Sequence, residues 1–365
     1  MFNFQGKVGE GTFSCVYLAI DKSSIEGGRK RSFAVKHLIP TCHPKRIYRE
    51  LWCMQEMGGV DNIAEIYMCL RNEDCITFIM PYLEHEKFIT YVMDMDVRET
   101  KLYMKQLLLA VRRVHSFGII HRDIKPSNFL YNRKKGKFLL VDFGLSQKVD
   151  ECSESKDHEN VDGTGKKRKR DDGIKSLASG EKLFAKPQLP VKKCHCDGKP
   201  RICNLCLTRK AQNAPRAGTP GFRPPEVLLK CPHQTTAVDM WAVGVILLSI
   251  LSGTHPFFRS PDDVTALAEM ITMFGSDKIK NVAKKLSVSH LPILICQAGR
   301  NIVCSEDRRG LDLKKVCEMS RRAKNLRDSF PDEAFELLYR LLDVDPTTRI
   351  TAEEALNHPF ITSVE

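Results

Sequence analysis

Residues 121–128 read His-Arg-Asp-Ile-Lys-Pro-Ser-Asn and bring a carboxylate, Asp123, an amine, Lys125, and a carboxamide, Asn128, into one short stretch. A second carboxylate, Asp142, follows the apolar run Phe138 to Val141 and opens the triplet Asp142-Phe143-Gly144. Carboxylate and carboxamide oxygens are hard ligands that suit magnesium. An amine beside them neutralises phosphate charge, and a carboxylate can orient a hydroxyl and take its proton. The group is equipped to hold a magnesium–nucleoside triphosphate and to aim a hydroxyl at the terminal phosphorus. The apolar run before Asp142 reads as a strand.

Other elements must position these groups. Gly9-Glu10-Gly11-Thr12-Phe13-Ser14-Cys15-Val16 is a G-x-G-x-x-G-x-V loop with serine in the third glycine place. Glycines let a hairpin backbone lie close over phosphates. Phe33 to Leu38 alternates like a strand, and Ala34, Lys36 and Leu38 share one face. Lys36 thus aligns with a small residue that leaves room for a flat base. Pro44 to Met57 is predicted as a helix with Ile47, Leu51 and Met54 as its buried stripe. Glu50 lies at the edge of that stripe, where a carboxylate usually needs a partner. Val97 to Phe117 is predicted as a long amphipathic helix carrying Leu107, Leu108, Val111 and Val114 inward.

The 365 residues allow one or two sizeable cores. Lys and Arg number 57 against 45 Asp and Glu, a net charge of +12 that favours acidic partners without choosing among them. The first residues show no basic region followed by an apolar run, so no secretory signal is expected. The longest apolar run, Trp241 to Leu251, is about half a membrane span and reads as a buried helix. Without a secretory route the 14 cysteines are expected as thiols or metal ligands.

The catalytic stretch matches H-R-D-x-x-x-x-N residue for residue, and with D-F-G the chain resembles a eukaryotic protein kinase. Further motifs occur in that family's order: Thr219 to Glu226, the D-x-W-x-x-G run Asp239 to Gly244, and the closing run 345–360. The resemblance implies an α+β bilobal protein kinase fold, with a small β-rich lobe and hinge over 1–83 and a larger helical lobe over 84–361. It implies ATP as cofactor, covered by Gly9, Glu10, Gly11, Ser14 and Val16 and backed by Ala34. Lys36, fixed by Glu50, would hold the phosphates. Met80, Pro81 and Leu83 would form the hinge against the adenine. Asp123 would orient the acceptor hydroxyl, Lys125 would stabilise the transferred phosphoryl group, and Asn128 and Asp142 would hold magnesium. Lys125 also marks serine/threonine kinases. Asp239 would support the catalytic loop backbone, and Arg349 would pair with Glu226.

From Asp142 to Glu226 the interval is 84 positions, so residues 150–212 read as an insertion in the activation segment. It begins polar and acidic, composition that predicts disorder. Lys166-Lys167-Arg168-Lys169-Arg170 is a basic run compatible with nuclear import. Cys194, Cys196, Cys203 and Cys206 form C-x-C-x6-C-x2-C around a Gly-Pro turn. Four thiolates so spaced can surround one structural zinc, with His195 able to replace one. Beyond it, Thr219 and its neighbours form the expected substrate shelf. Arg216 and Arg223 flank it and would favour an acidic or phosphorylated residue after the acceptor. The region 262–330, rich in Lys and Arg, is expected to contain a second insertion.

The hinge Met80-Pro81-Tyr82-Leu83, the cysteine-bearing insertion, the Arg223-Pro224-Pro225-Glu226 ending and the basic large-lobe region together resemble the cell-division-cycle-seven kinases. That resemblance implies a nuclear enzyme, inactive without a regulatory subunit in a heterodimer, acting on minichromosome maintenance helicase subunits. The span from the first expected strand to the closing signature suggests a trimmed catalytic core. Two other classes compete with it. A pseudokinase scaffold would retain the fold without the chemistry. A basic zinc-bearing nucleic-acid-binding protein would use the cysteines and the charge. No recognition module or aromatic-basic stacking stripe is present for the latter, so direct nucleic-acid binding is not expected, nor is a membrane partner.

Overall fold

A computed structural model describes residues 2–11, 14–26, 29–39, 44–72, 75–149, 218–286, 309–326 and 329–363. The alternation predicted around Lys36 belongs to β3 (Arg29–Leu38), which lies between β2 (Ser14–Glu26) and β5 (Cys75–Pro81). β1 (Phe2–Gly11) and β4 (Met68–Asn72) are the edges of this antiparallel five-stranded sheet, in the order β1-β2-β3-β5-β4. Register decides which side chains share a face, because opposed residues point the same way. Gly9 opposes Val16, Val16 opposes Lys36, and Lys36 opposes Phe78. Ala34 opposes Leu18 and Met80. One row therefore delivers Gly9, Val16 and Lys36 to the same face of the sheet as Ala34 and Met80.

Helix α1 (Pro44–Glu56) crosses beside the sheet and buries only Glu50, Cys53 and Met54. The large lobe begins with α2 (Phe88–Tyr91) and α3 (Val97–Ser116). Asp96 starts α3 by accepting the Glu99 amide, which satisfies one of the helix's orphan donors. Tyr103, Met104, Leu107, Leu108, Val111 and Val114 recur at helical spacing and are buried. Short strands follow: β6 (Ile119–Ile120) pairs with β9 (Gln147–Lys148), and β7 (Phe129–Asn132) forms a hairpin with β8 (Lys137–Leu140). The catalytic stretch lies between β6 and β7, and Asp142 follows β8.

After α4 (Pro225–Leu228) comes α5 (Ala237–Ser252), buried at every residue. Its apolar run has no polar face because it has no solvent face. Each large side chain removed from water there contributes roughly 1.5–3 kcal/mol. A Cβ at Gly244 would come within 2.7 Å of Leu342, so only glycine lets the following helices approach so closely. No described helix is long and apolar enough to cross a membrane.

Within the region 262–330 the described helices join the core of the large lobe. Helix α6 (Asp263–Phe274), α7 (Ser276–Lys285) and α8 (Leu313–Ala323) place Leu267, Met270, Ile271, Ile279, Leu313 and Cys317 in the main core. These residues are integral to the large lobe, and 287–308 lie outside the described residues. The fold closes with α9 (Asp332–Leu341), α10 (Ala352–Leu356) and α11 (Pro359–Thr362).

Candidate active site

The small lobe contributes a charged chain. Lys36 Nζ donates to Glu50 Oε1 at 2.5 Å and to Asp142 Oδ1 at 2.8 Å. The Lys36 and Glu50 side chains are 7% and 5% exposed. Burial alone would drive Lys36 neutral, but the two carboxylates reverse this and raise its pKa above the ordinary lysine value. Burial likewise works to raise Asp142, yet the Lys36 ammonium holds its carboxyl at about 2. Lys36 and Glu50 can be buried together because each satisfies the other, while Asp142 meets Lys36 from the open side of the cleft.

The large lobe fixes the opposite wall. Asp239, on α5, accepts the His121 amide at Oδ2 and the Arg122 amide at Oδ1, both at 2.8 Å, and His115 Nε2 lies 2.9 Å from the same Oδ2. Burial works to raise the Asp239 pKa, and these bonds, led by His115, bring it below the usual carboxylate range. Arg122 and Asp142 both have φ of 67°. Non-glycine residues enter that region at a cost of about 1–3 kcal/mol, so the surroundings must hold them there.

Around Asp123 the polar groups converge. Asn128 Nδ2 donates to Asp123 Oδ2 at 2.9 Å and to its backbone oxygen at 2.9 Å. Lys125 Nζ is 2.9 Å from Asp123 Oδ2. The Thr219 hydroxyl donates to Asp123 Oδ1 at 2.6 Å and accepts from Lys125 Nζ at 2.8 Å. A carboxylate offers about four lone-pair directions, so these three bonds leave one for an incoming hydroxyl.

Magnesium fits the donor set. The Asn128 amide nitrogen is committed to Asp123, which turns its oxygen away as a ligand. Asp142 commits Oδ1 to Lys36 while its side chain stays 45% exposed. The Val141 amide bonds the Asn128 carbonyl at 2.8 Å, which sets the two ligands side by side. Bound there, magnesium would supply charge that neutralises the phosphates.

Other predicted residues fall as follows. Gly9, Glu10, Gly11, Ser14 and Val16 form the β1–β2 hairpin, with Thr12 and Phe13 of its tip outside the described residues. Met80 is buried and Pro81 ends β5. The Leu83 carbonyl is 2.9 Å from His85 Nδ1. Arg349 meets Glu226 through two bonds of 2.7 and 3.0 Å. Arg223 is engaged within the chain. Its guanidinium donates to the Gly218 carbonyl and, at 2.6 Å, to Asp263, so its charge is already matched and it shapes the shelf. Arg216 and Cys194, Cys196, Cys203 and Cys206 lie outside the described residues. Among the described residues no group of three or more His, Cys, Asp or Glu could hold a metal. Sequence reasoning missed His115, Arg46 and Arg49. Arg46 Nε donates to the Gly144 carbonyl at 2.5 Å and Arg49 to the Ser146 carbonyl at 3.1 Å.

The protein kinase domain profile matches residues 2–166 and 194–361. The chain is 33% identical to the mouse (Mus musculus) cell division cycle 7-related protein kinase, over 99% of this chain and 90% of that protein. It is 32% identical to a Drosophila melanogaster non-specific serine/threonine protein kinase Cdc7, over 100% of this chain and 75% of that one. It is 36% identical to an Encephalitozoon cuniculi probable cell division control protein 7 homolog, over 97% of this chain and 90% of the relative. The chain belongs to the cell-division-cycle-seven family of protein kinases.

In this cell-division-cycle-seven kinase the chemistry follows from the geometry. The sheet face bearing Val16, Ala34 and Lys36 and the wall bearing Asn128 and Asp142 would hold ATP between them. Asp123, with one lone-pair direction open, would receive the acceptor hydroxyl and its proton. Lys125, held in place through Thr219 and Asp123, would offer its charge to the transferred phosphoryl group. Catalysis is positioning and electrostatics, where one preorganised contact is worth on the order of 100- to 1000-fold in rate.

Proposed function

We propose that this serine/threonine kinase acts in the initiation of DNA replication. Its substrates are acidic Ser/Thr segments of replicative helicase subunits of the minichromosome maintenance type. It works in the nucleus as a heterodimer with an activating regulatory subunit. The observation that carries the Ser/Thr reading is the Thr219 hydroxyl between Asp123 and Lys125, 2.6 and 2.8 Å away. That arrangement offers an aliphatic acceptor hydroxyl a short approach to Asp123. The net charge of +12 supports an acidic substrate. With Arg223 matched by Asp263, the acidic preference falls to Arg216, with Arg209 and Lys210 beside it in sequence. Dependence on a partner is supported by α1, which carries Glu50 yet buries only three residues and leaves Tyr48 70% exposed. A helix held so lightly gains from a protein packed against it. The spacing of Cys194, Cys196, Cys203 and Cys206 supports a structural zinc that orders the insertion for partner docking. The basic run 166–170 supports nuclear import.

A panel of Ser/Thr peptides tests this reading. Acceptors followed by neutral, acidic or phosphorylated residues are incubated with labelled ATP, with and without a nuclear protein that co-purifies with the kinase. Faster transfer to acidic and phosphorylated members, raised further by the partner, is expected. Equal rates across the panel would remove the acidic assignment, and full activity without the partner would remove the regulatory one. Elemental analysis of the purified chain gives one zinc per molecule if the four cysteines bind it.

A further inference from the structure

Glu50 is not the only residue by which α1 meets the metal side of the cleft. Positions 46, 49, 50 and 53 lie along one face of a helix. Arg46 Nε donates to the carbonyl of Gly144, and an Arg49 guanidinium nitrogen donates to the carbonyl of Ser146. Cys53 Sγ lies 3.5 Å from Ser146 Oγ, which itself donates to the Phe143 carbonyl at 2.7 Å. Glu50 reaches Asp142 through Lys36. Four successive positions of one helix face thus grip residues 142–146. From the other lobe, Arg122 donates to Gln147 Oε1 at 2.6 Å.

We infer that Arg46 and Arg49 are positioning residues, which set the Asp142 carboxylate for metal binding by gripping the backbone just after it. The reason is local. Asp142 is held at a φ of 67°, a conformation its own backbone does not favour. A peptide plane that turns by a few degrees at Gly144 carries the carboxylate with it. Guanidinium donors bind a carbonyl more strongly than neutral donors, and their planar fork resists that turn. Both arginines bond backbone carbonyls just after Asp142. They act through Asp142, so movement of α1 would move the metal ligand as well as Lys36. The inference rests on phosphoryl transfer as such and is independent of the substrate proposed above.

The test uses the full chain with Arg46→Ala, Arg49→Ala and both together, plus Arg46→Lys. Equilibrium binding of a fluorescent ATP analogue is measured with and without magnesium, alongside kcat. For the double variant the magnesium concentration giving half-maximal tightening rises about tenfold and kcat falls on the order of 100-fold, while metal-free affinity stays within about twofold. Arg46→Lys, which keeps the charge and a donor, recovers part of the loss. An unchanged magnesium dependence, even with a lower kcat, overturns the inference, since a merely structural role would not discriminate between metal-loaded and metal-free binding. If the double variant does not fold, Arg49→Ala alone decides by the same criterion.

Discussion

On the large-lobe side of the cleft, Asp239 holds the amides of His121 and Arg122 from a helix buried at every residue. On the small-lobe side, Lys36 is held by Glu50 from a helix with three buried residues. The first wall is fixed by the core and cannot shift without unfolding part of it. The second is fixed by a thinner apolar contact, Cys53 and Met54 with the half-buried Ile47, Leu51 and Trp52, and by polar bonds, Lys36 with Glu50 and Asp142, and Arg46 and Arg49 with backbone carbonyls. A catalytic centre so divided keeps its acceptor-orienting half ready and leaves its phosphate-holding half adjustable. Control is therefore cheapest at α1, where a change in packing alters the site without disturbing the core.

The largest separation of the two walls is expected from Asp123→Asn. It should lower kcat on the order of 1000-fold, with the melting temperature nearly unchanged, because the amide keeps the shape but not the charge. Asp239→Ala should damage the lower wall in both respects. It leaves two buried amides without their acceptor at about 1–3 kcal/mol each, so thermal unfolding moves down together with kcat. Glu50→Gln should lower kcat by about 10- to 100-fold with a smaller fall in melting temperature than Asp239→Ala, since Asp142 still faces Lys36 and the amide keeps the shape. If Glu50→Gln proved as destabilising as Asp239→Ala, the contrast between the walls would fail. Gly144→Ala is the mildest change. Its methyl would stand 3.2 Å from Asp142 Oδ1 and 3.4 Å from Glu50 Oε2, and a fall in kcat on the order of tenfold is expected.

Acid sharpens the same contrast. Asp142 is held at about 2 against an ordinary 3.8, and Asp239 is also lowered. For a carboxylate depressed by folding, the stabilisation is complete above the unfolded value and is lost as pH falls through the folded one. Melting temperature should thus hold near neutral pH and decline below about 4. Asp239→Asn, which has no carboxylate to protonate, should show a shallower decline over the same window.

The lower wall was legible because its parts are contiguous or carry rigid spacing. His121 to Asn128 is one stretch, and Asp239 and the Glu226–Arg349 pair stand in recognisable surroundings. The small lobe was legible to the extent that strand parity put Ala34 and Lys36 on one face. Arg46 and Arg49 left no signal, since their partners are backbone carbonyls, which every residue has. Arg223 was singled out for its charge, but its partner Asp263 lies 40 positions on, and no local pattern links them. The core role of the helices within 262–330 left little signal for a related reason. Helix α8 buries Leu313, Cys317 and Arg321, a stripe with one strongly apolar member amid basic neighbours. Such a stripe looks like a solvated surface until the core that receives it is known.

The claim that both walls meet at one metal-bound nucleotide is tested most directly by single-turnover transfer from γ-labelled ATP. Parent and Asp142→Asn are compared with magnesium present and folding verified by thermal melting. The account predicts that the variant folds and loses transfer by about 1000-fold or more. Transfer within about tenfold of the parent by a folded variant would contradict it.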